Sequence, residues 1–478
     1  MNFCITDPEK VRQAEFFGRR RLAVFFCLRR NNLFSSVEGL LKMNQNRNLR
    51  NELNTFSLPL VGKNIVQLIV EFWLAVVSGH ISANAIAVIG TVDGLLYSLI
   101  GILGSGTVSY MIYASRVEDK HSPAARTLFK SLLLLNLGLG VLFVSLGLLF
   151  SGVILKGIYR FDGELLELGN RYMRISSWHI LLTLCVFSLS NQLKVVKKTG
   201  AVFRAGVFSS GVQLALTWLL AVQLLTGNER ILGIACAGLA SEGILCLYYG
   251  WLLRDELAAL RGIRGERWLF LLKKSGILFL QELLEGSVFQ VLLTAALVRL
   301  GGLIFAAYQV CRTLTEIFLA PMFMYCSGLL VLIGEKIGKR ELDEARQLPK
   351  ITLQLIIGIY GILAICSWFW QKSLISLVTD IPQVAQTAVS VLGVVILCEI
   401  TRPFYEVHKY SLQALSGEEV ALKITACVNG LVLLLLWLLP NRLEVILLLA
   451  AAGNLGAAGA FQLSFKRRLC RIRHGEEK

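Results

Sequence analysis

The chain has 478 residues, 55% of them hydrophobic, and a formal net charge of +16, with a mean hydropathy of +0.64. Soluble globular proteins dilute their apolar residues with solvated surface, so these values exclude that class and point to a polytopic membrane protein. The positive charge gathers in particular loops, where it reports topology and contact with anionic lipid, and nucleic acid is excluded as a partner.

In chain order, residues 1–42 come first and carry RRRLAVFFCLRR, whose apolar core of about seven residues is too short to span a bilayer and has no small-residue cleavage site after it. Two readings stand. The segment is a basic amphipathic stretch on the cytoplasmic membrane face, or the natural start is Met43, since MNQNRNLRNELNTFSLPLVG leads straight into the first apolar run.

Twelve helices are predicted: 56–78, 84–114, 127–152, 166–190, 201–223, 231–252, 270–298, 303–333, 351–376, 383–410, 421–439 and 442–464. Each run is roughly 20 residues or longer, enough at about 1.5 Å per residue to cross a hydrocarbon core of about 30 Å. The predicted layout is a basic segment 1–50, six-helix halves 51–260 and 261–465, and a basic tail 466–478. The loops after helices 2, 4, 6 and 8 are rich in lysine and arginine, among them Lys120, Lys197, Arg264 and Lys339. The alternate loops carry little more than Lys156, Arg160, Arg230, Arg299, Lys372 and Arg442. That alternation places both termini in the cytoplasm; the plasma membrane is the expected location.

The eleven cysteines form no CxxC pair and lie mostly alone in apolar helices, where a thiol behaves as a small hydrophobe. No metal site and no cofactor are expected. No HExxH, no glycine-rich phosphate loop and no long loop for a soluble active site occur, so an enzyme is not expected either.

The halves repeat. VEDKHSPAAR (117–126) aligns with IGKRELDEAR (337–346), and GHISANAIAV (79–88) with RLGGLIFAA (299–307), at an offset of about 220 residues. Six helices separate the copies, an even number, so the repeats share one orientation and are related by an axis along the membrane normal, with a binding cavity between them.

The segments FSLPLVGKNI (56–65), SGHISANAIAVIG (78–90), EGSVFQVLLTAALVRLGGLIFAAYQV (285–310), APMFMYCSGLLVLIGEKIGKRELDEAR (320–346) and ITRPFYEVHKYSLQALSGEE (400–419) carry, by order and spacing, a resemblance over residues 52–465. The chain resembles the multidrug and toxic compound extrusion (MATE) family, within the superfamily that also holds polysaccharide and lipid-linked oligosaccharide flippases. The resemblance implies an all-α, V-shaped integral membrane protein of two six-helix repeats. It implies export of amphipathic, often cationic small molecules, driven by sodium ions or protons flowing inward.

Charged residues inside the predicted spans are the candidate sites, because a carboxylate at the bilayer centre costs at least about 2.5 kcal/mol unless paired, protonated or wet. Glu282 and Glu285 lie midway between Lys274 and Arg299, and the i, i+3 spacing puts both on one helix face. Two close carboxylates can hold a proton, a sodium ion or a cationic compound in competition. The resemblance singles out Glu285, directly before Gly286, as the helix-7 carboxylate, and Gln309 as a cavity glutamine.

On helix 10, Glu399, Arg402 and Glu406 form a charged stripe with His408 and Lys409 nearby, in which Arg402 neutralises one glutamate and leaves the other free. On helix 8, Arg312 and Glu316 form an i, i+4 pair that either holds helices together or touches substrate. The resemblance leads one to expect an aspartate on helix 1, five residues before Gly79, where this chain has Leu74. Glu71, one turn earlier, is the substitute, with Asp93 on helix 2 as a further acid and Glu242 and His179 as weaker candidates. Tyr405 stands where a small polar residue is common in the family, which implies a changed substrate. Pro59, Pro321 and the glycines Gly101, Gly104 and Gly106 permit bending or close packing.

The expectation is a monomeric, ion-coupled exporter in the lipid bilayer, acting on a small cationic or amphipathic molecule. The alternatives are a flippase for lipid-linked oligosaccharide, which would need a cavity rich in arginine and lysine, and a transport-inactive scaffold.

Overall fold

The computed structural model describes residues 45–74, 76–78, 81–439 and 442–475, so the basic stretch near the amino terminus, both readings of its origin, and Gly79 lie outside the described residues. The chain divides into two compact units, Met1–Glu52 and Leu53–Lys478. The described part of the first, 45–52, is helical; the functional architecture belongs to the second.

Among the described residues, twelve helices are long and apolar enough to cross a membrane. They are α1 (Gln45–Ser78), α2 (Ala87–Arg116), α3 (Pro123–Gly157), α4 (Gly163–Val195), α5 (Thr199–Leu224), α6 (Gly227–Leu252), α7 (Trp268–Val298), α8 (Gly302–Gly338), α9 (Leu342–Phe369), α10 (Pro382–Ala414), α11 (Glu418–Leu438) and α12 (Leu443–His474). No strand occurs among the described residues. The protein is therefore an all-α integral membrane protein. Exposed tryptophans mark both ends of the spans: Trp251 and Trp268 on the side of the basic loops, and Trp368, Trp370 and Trp437 on the other. Indole rings sit at membrane–water boundaries in this way, with an apolar body and one polar N–H.

Three helices depart from expectation. Helix α9 starts at Leu342 rather than 351, because LDEARQLP is amphipathic and buries Ala345, Leu348 and Pro349 while its charges face outward. It ends at Phe369, and the rest of the predicted run forms a separate short helix, Gln371–Ser376. Helix α10 breaks into Pro382–Glu399 and Arg402–Ala414. Pro403 has no N–H to give the Glu399 carbonyl, and Thr401 turns its hydroxyl back to the Cys398 carbonyl at 2.7 Å. Helix α7 widens into a π-helical stretch at Leu283–Phe289, a local underwinding that is frequent at functional sites.

Each half has a core cluster to which several helices contribute. In the amino-terminal lobe, Val88, Val92 and Leu96 of α2 meet Tyr172, Met173, Ile180 and Leu184 of α4 in one core cluster with Ile231 of α6. In the carboxyl-terminal lobe, Tyr405 and Leu412 of α10 pack with Ala421 of α11 and Ala457 and Phe461 of α12. The Tyr405 and Phe461 rings meet edge-on, 5.3 Å between centroids.

On the side of the basic loops the lobes are tied together. Lys197, after α4, pairs with Glu335 of α8 at 2.5 Å, and Lys339 takes the other oxygen of Glu335 at 2.7 Å. Arg116 at the end of α2 donates from Nε (3.1 Å) and Nη2 (2.5 Å) to the Ala414 carbonyl that ends α10. Tyr113 donates to Glu418 at 2.7 Å. Lys120 closes the end of α2 by donating to the carbonyls of Ala114 (3.2 Å), Ser115 (2.6 Å) and Val117 (2.5 Å).

This approach needs glycine. A Cβ at Gly334 would lie 1.8 Å from Ser115 Oγ, and one at Gly338 would lie 2.3 Å from the Arg116 carbonyl oxygen. The second obstacle is backbone and cannot rotate away. Gly338→Ala is therefore expected to separate α2 from α8 at this end and to lower the midpoint of thermal unfolding in detergent by several degrees, since overpacking costs typically about 1–3 kcal/mol. An unchanged midpoint would show that the contact yields without cost.

Candidate functional site

The π-helical turn of α7 decides what its two glutamates face. Glu285 is turned into the lobe and only 15% of its side chain is exposed. Four donors converge on its carboxylate. Lys409 Nζ lies 2.7 Å from Oε2, while Oε1 accepts from Tyr405 Oη at 2.6 Å, Gln281 Nε2 at 2.9 Å and Thr425 Oγ1 at 3.2 Å. Gln413 Nε2 holds the Gln281 carbonyl at 3.1 Å, so side chains from α7, α10 and α11 form one connected network. Lys409 is 3% exposed, lies 2.9 Å from Glu406 on its own helix, and rests over the rings of Tyr405 and Tyr410.

Glu282 is different. Its side chain is exposed and, among the described residues, makes no hydrogen bond or ion pair, though it remains within electrostatic reach of Glu285, Glu406 and Lys409. The expectation that both carboxylates share one helix face is thus corrected. A π turn takes more residues per revolution than an α turn, and the widening swings residue 285 away from residue 282.

The helix-10 stripe is also corrected. The break at residues 400–401 splits it, so that Arg402 pairs with Glu399 at 3.8 Å and Glu406 pairs with Lys409. Arg402 does not choose between the two glutamates, because they lie on different half-helices. Asn454 of α12 donates to Thr401 Oγ1 at 3.2 Å and supports the break.

Beside it, Arg312 Nε binds Glu316 at 2.9 Å, and the Gln290 amide of α7, with its oxygen turned toward Arg312, accepts from the same guanidinium. Arg312, Arg402, Glu316 and Glu399 all act electrostatically on Tyr308, so they form one Arg/Glu quartet between α8 and α10. Gln309 and Thr313 continue the exposed side of α8 next to Arg312 and Glu316. The other face of α8 is buried through Ala307, Cys311, Leu314 and Phe318.

In the amino-terminal lobe, Glu71 accepts from Tyr97 Oη at 3.0 Å and from Gln67 at 3.1 Å. Asp93 receives the Tyr172 hydroxyl on both oxygens, at 3.0 and 3.1 Å. Glu242 accepts from Thr183 at 2.9 and 2.8 Å and lies 3.4 Å from His179 Nδ1. Tyr97 feels all three carboxylates, which places Glu71, Asp93 and Glu242 in one region. Lys63 of α1 lies within reach of Glu242, its stem packed against the bare backbone of Gly206, where a Cβ would sit 2.6 Å from Lys63 Cγ.

Sequence reasoning missed the partners rather than the acids. Lys409 is visible in retrospect, three residues after Glu406 on the same face. Gln281 precedes Glu285 by one turn. Thr425, Gln413 and the role of Tyr405 depend on which helices pack together, and no spacing along the chain reveals that.

The network also predicts a stability pattern. Lys409→Met leaves Glu285 and Glu406 buried without a counter-charge, which costs roughly 3–5 kcal/mol for a broken buried pair. Thermal unfolding should show a clear loss for Lys409→Met and partial recovery in Lys409→Met/Glu285→Gln. A double variant less stable than the single one would contradict the pairing.

The MatE family model matches residues 59–219 and 278–438. Over 344 residues the chain is 23% identical to the "Probable multidrug resistance protein NorM" of Photorhabdus laumondii subsp. laumondii, covering 69% of this chain and 74% of that protein. Among solved structures, the Vibrio cholerae MATE transporter VcmN in its bent form aligns with a TM-score of 0.78 at 18% identity, over 90% of this chain and 99% of that one. A MOP superfamily transporter from Pyrococcus furiosus, described as having a binding pocket of reversed polarity, aligns with a TM-score of 0.74 at 15% identity, over 89% and 97%. The two matched segments fall one in each lobe, cover more than half of the sequence and place the buried Glu285 network within the second match; the chain belongs to the MatE family of membrane transporters.

Proposed function

We propose that this protein is a secondary exporter of the plasma membrane, with the basic loops and both termini in the cytoplasm, that moves small amphipathic or cationic molecules outward against entering sodium ions or protons. The observation that carries the reading is the convergence of Lys409, Tyr405, Gln281 and Thr425 on Glu285. A carboxylate whose oxygens are all engaged takes up a cation only by giving up a partner. Lys409 is the partner that can leave, because Glu406 stands 2.9 Å away to receive it.

Tyr405 and Lys409 ride on the second half of α10, so exchanging Lys409 for a coupling ion pulls on a helix already broken above them. Local charge exchange thereby acts on a hinge, the kind of event that biases alternating access. The acids Glu71, Asp93 and Glu242 supply complementary charge for a cationic substrate in the other lobe. The name of the Photorhabdus relative, a multidrug resistance protein, supports the same reading. Acids also outnumber bases among the exposed interior groups, which favours the exporter over a flippase of pyrophosphate-linked lipids.

Efflux of a panel of fluorescent organic cations from efflux-deficient cells tests the proposal. Wild-type protein should export at least one dye, with a rate that depends on either the sodium or the proton gradient. Glu285→Gln, at equal membrane abundance, should lose most of that efflux, about tenfold or more. Unchanged efflux in Glu285→Gln would remove the residue from the coupling role.

A further inference from the structure

We propose that the crevice between the basic-side ends of α9 and α12 binds the phosphate headgroup of an anionic phospholipid, a site separate from the interior acids and independent of what the protein exports. The crevice is a cavity of 180 Å³ lined by Leu342, Asp343 and Arg346 of α9 and by Lys466, Leu469 and Arg473 of α12. Three cations from two helices thus face one space. Among the described residues Arg346 and Lys466 make no hydrogen bond or ion pair, and the acid that lines the cavity, Asp343, pairs with Arg473 at 3.5 Å.

The internal repeat supplies the comparison. Residues 117–126 align with 337–346, so Arg126 in the first turn of α3 is the counterpart of Arg346 in the first turns of α9, and α6 is the counterpart of α12. The equivalent crevice of the amino-terminal lobe, lined by His121, Arg126, Gln192 and Glu256 among others, measures 10 Å³, room for no more than about one water molecule. There the chain supplies its own anion. A short helix after α6, Arg254–Ala258, carries Glu256 into the crevice, where it accepts from Gln192 of α4. In the carboxyl-terminal lobe α12 runs on unbroken to His474 and brings Lys466 and Arg473 to the corresponding place. Two cations stand where the other lobe has a carboxylate and the space stays open, an arrangement that an external anion completes.

Depth and shape identify that anion as lipid. About 20 residues cross the hydrocarbon at about 1.5 Å each, and α12 has 32 from Leu443 onward, so Lys466 and the residues after it stand at headgroup level on the side of the basic loops. Guanidinium groups fork onto phosphate oxygens and lysine adds a point charge, and basic pockets between helices at this level suit anionic headgroups. Toward the membrane interior, the face of α12 that carries Lys466 continues at spacings of three and four through Leu463, Gly459 and Gly456, all exposed. A Cβ added at either glycine would meet nothing within 4 Å, so this face leaves room for an acyl chain beneath the headgroup. The same helix end is held by the protein elsewhere, because Arg468 donates to the Leu415 and Ser416 carbonyls at 3.0 and 2.9 Å. An occupied crevice therefore braces α9 against a helix already fixed to the end of α10.

The test is thermal unfolding of the delipidated full chain in detergent, titrated with phosphatidylglycerol, with zwitterionic phosphatidylcholine, or with inorganic phosphate. Phosphatidylglycerol should raise the midpoint saturably through linkage, at concentrations where the other two leave it unchanged. Arg346→Gln and Lys466→Gln should each raise the half-saturating concentration about tenfold, the scale of one charge-assisted contact. Arg261→Gln, which removes the same charge from an exposed turn after α6 on the same side, should behave as wild type. An equal effect of phosphatidylcholine would show binding by the chains alone, an equal loss in Arg261→Gln would show diffuse charge attraction, and an equal shift with inorganic phosphate would show a site for the free ion. Each of these overturns the proposal. Should the crevice variants fail to purify, native mass spectrometry of the wild-type protein decides, with phosphatidylglycerol retained no better than phosphatidylcholine counting against the site.

Discussion

A carboxylate cannot stand alone in hydrocarbon, and the carboxyl-terminal lobe is arranged around that constraint at Glu285. The π-helical turn of α7 aims it inward, the second half of α10 brings Tyr405 and Lys409 to it, and α11 adds Thr425. Three helices are thus fixed against one another by the need to satisfy a single charge. The arrangement is stable only while every member keeps its partner, because a buried network with one unsatisfied member costs more than an apolar core.

The lobes solve the same problem differently. The amino-terminal lobe spreads its charge over Glu71, Asp93 and Glu242, each met by a tyrosine or threonine hydroxyl and, for Glu242, by His179. Neutral hydroxyls leave those carboxylates available to a cation in a way that Lys409 does not leave Glu285. The tie between the lobes lies at the basic ends of α2, α4 and α8, where Glu335 bridges Lys197 and Lys339 and glycine lets the helices touch, and it reaches the Ala414 carbonyl beside Gln413 of the Glu285 network.

Much of this was legible in the chain. Apolar runs bounded by lysine and arginine gave the twelve spans because length and charge are what a bilayer selects, and interior acids announced the candidate sites because they are costly there. The limits are equally physical. A polar segment such as LDEARQLP reads as loop by composition, yet it is helical because Ala345 and Leu348 bury one side. The break in α10 follows from Pro403, a local signal that hydropathy averaging hides. The π turn has no sequence signature, so the i, i+3 spacing of Glu282 and Glu285 was read as one face when the structure gives two. Partners such as Gln413 and Thr425 depend on packing between helices more than a hundred residues apart in sequence.

The central claim is that a coupling cation and the substrate compete through Glu285. The direct measurement is the dissociation constant of a fluorescent organic cation on purified protein, titrated over sodium concentration and pH, for wild type and Glu285→Gln. Reciprocal linkage requires the wild-type constant to rise with one of the two ions, approaching about a tenfold rise per tenfold increase in that ion, and requires the dependence to vanish in Glu285→Gln. An ion dependence that persists undiminished in the variant would place the coupling elsewhere and contradict the account.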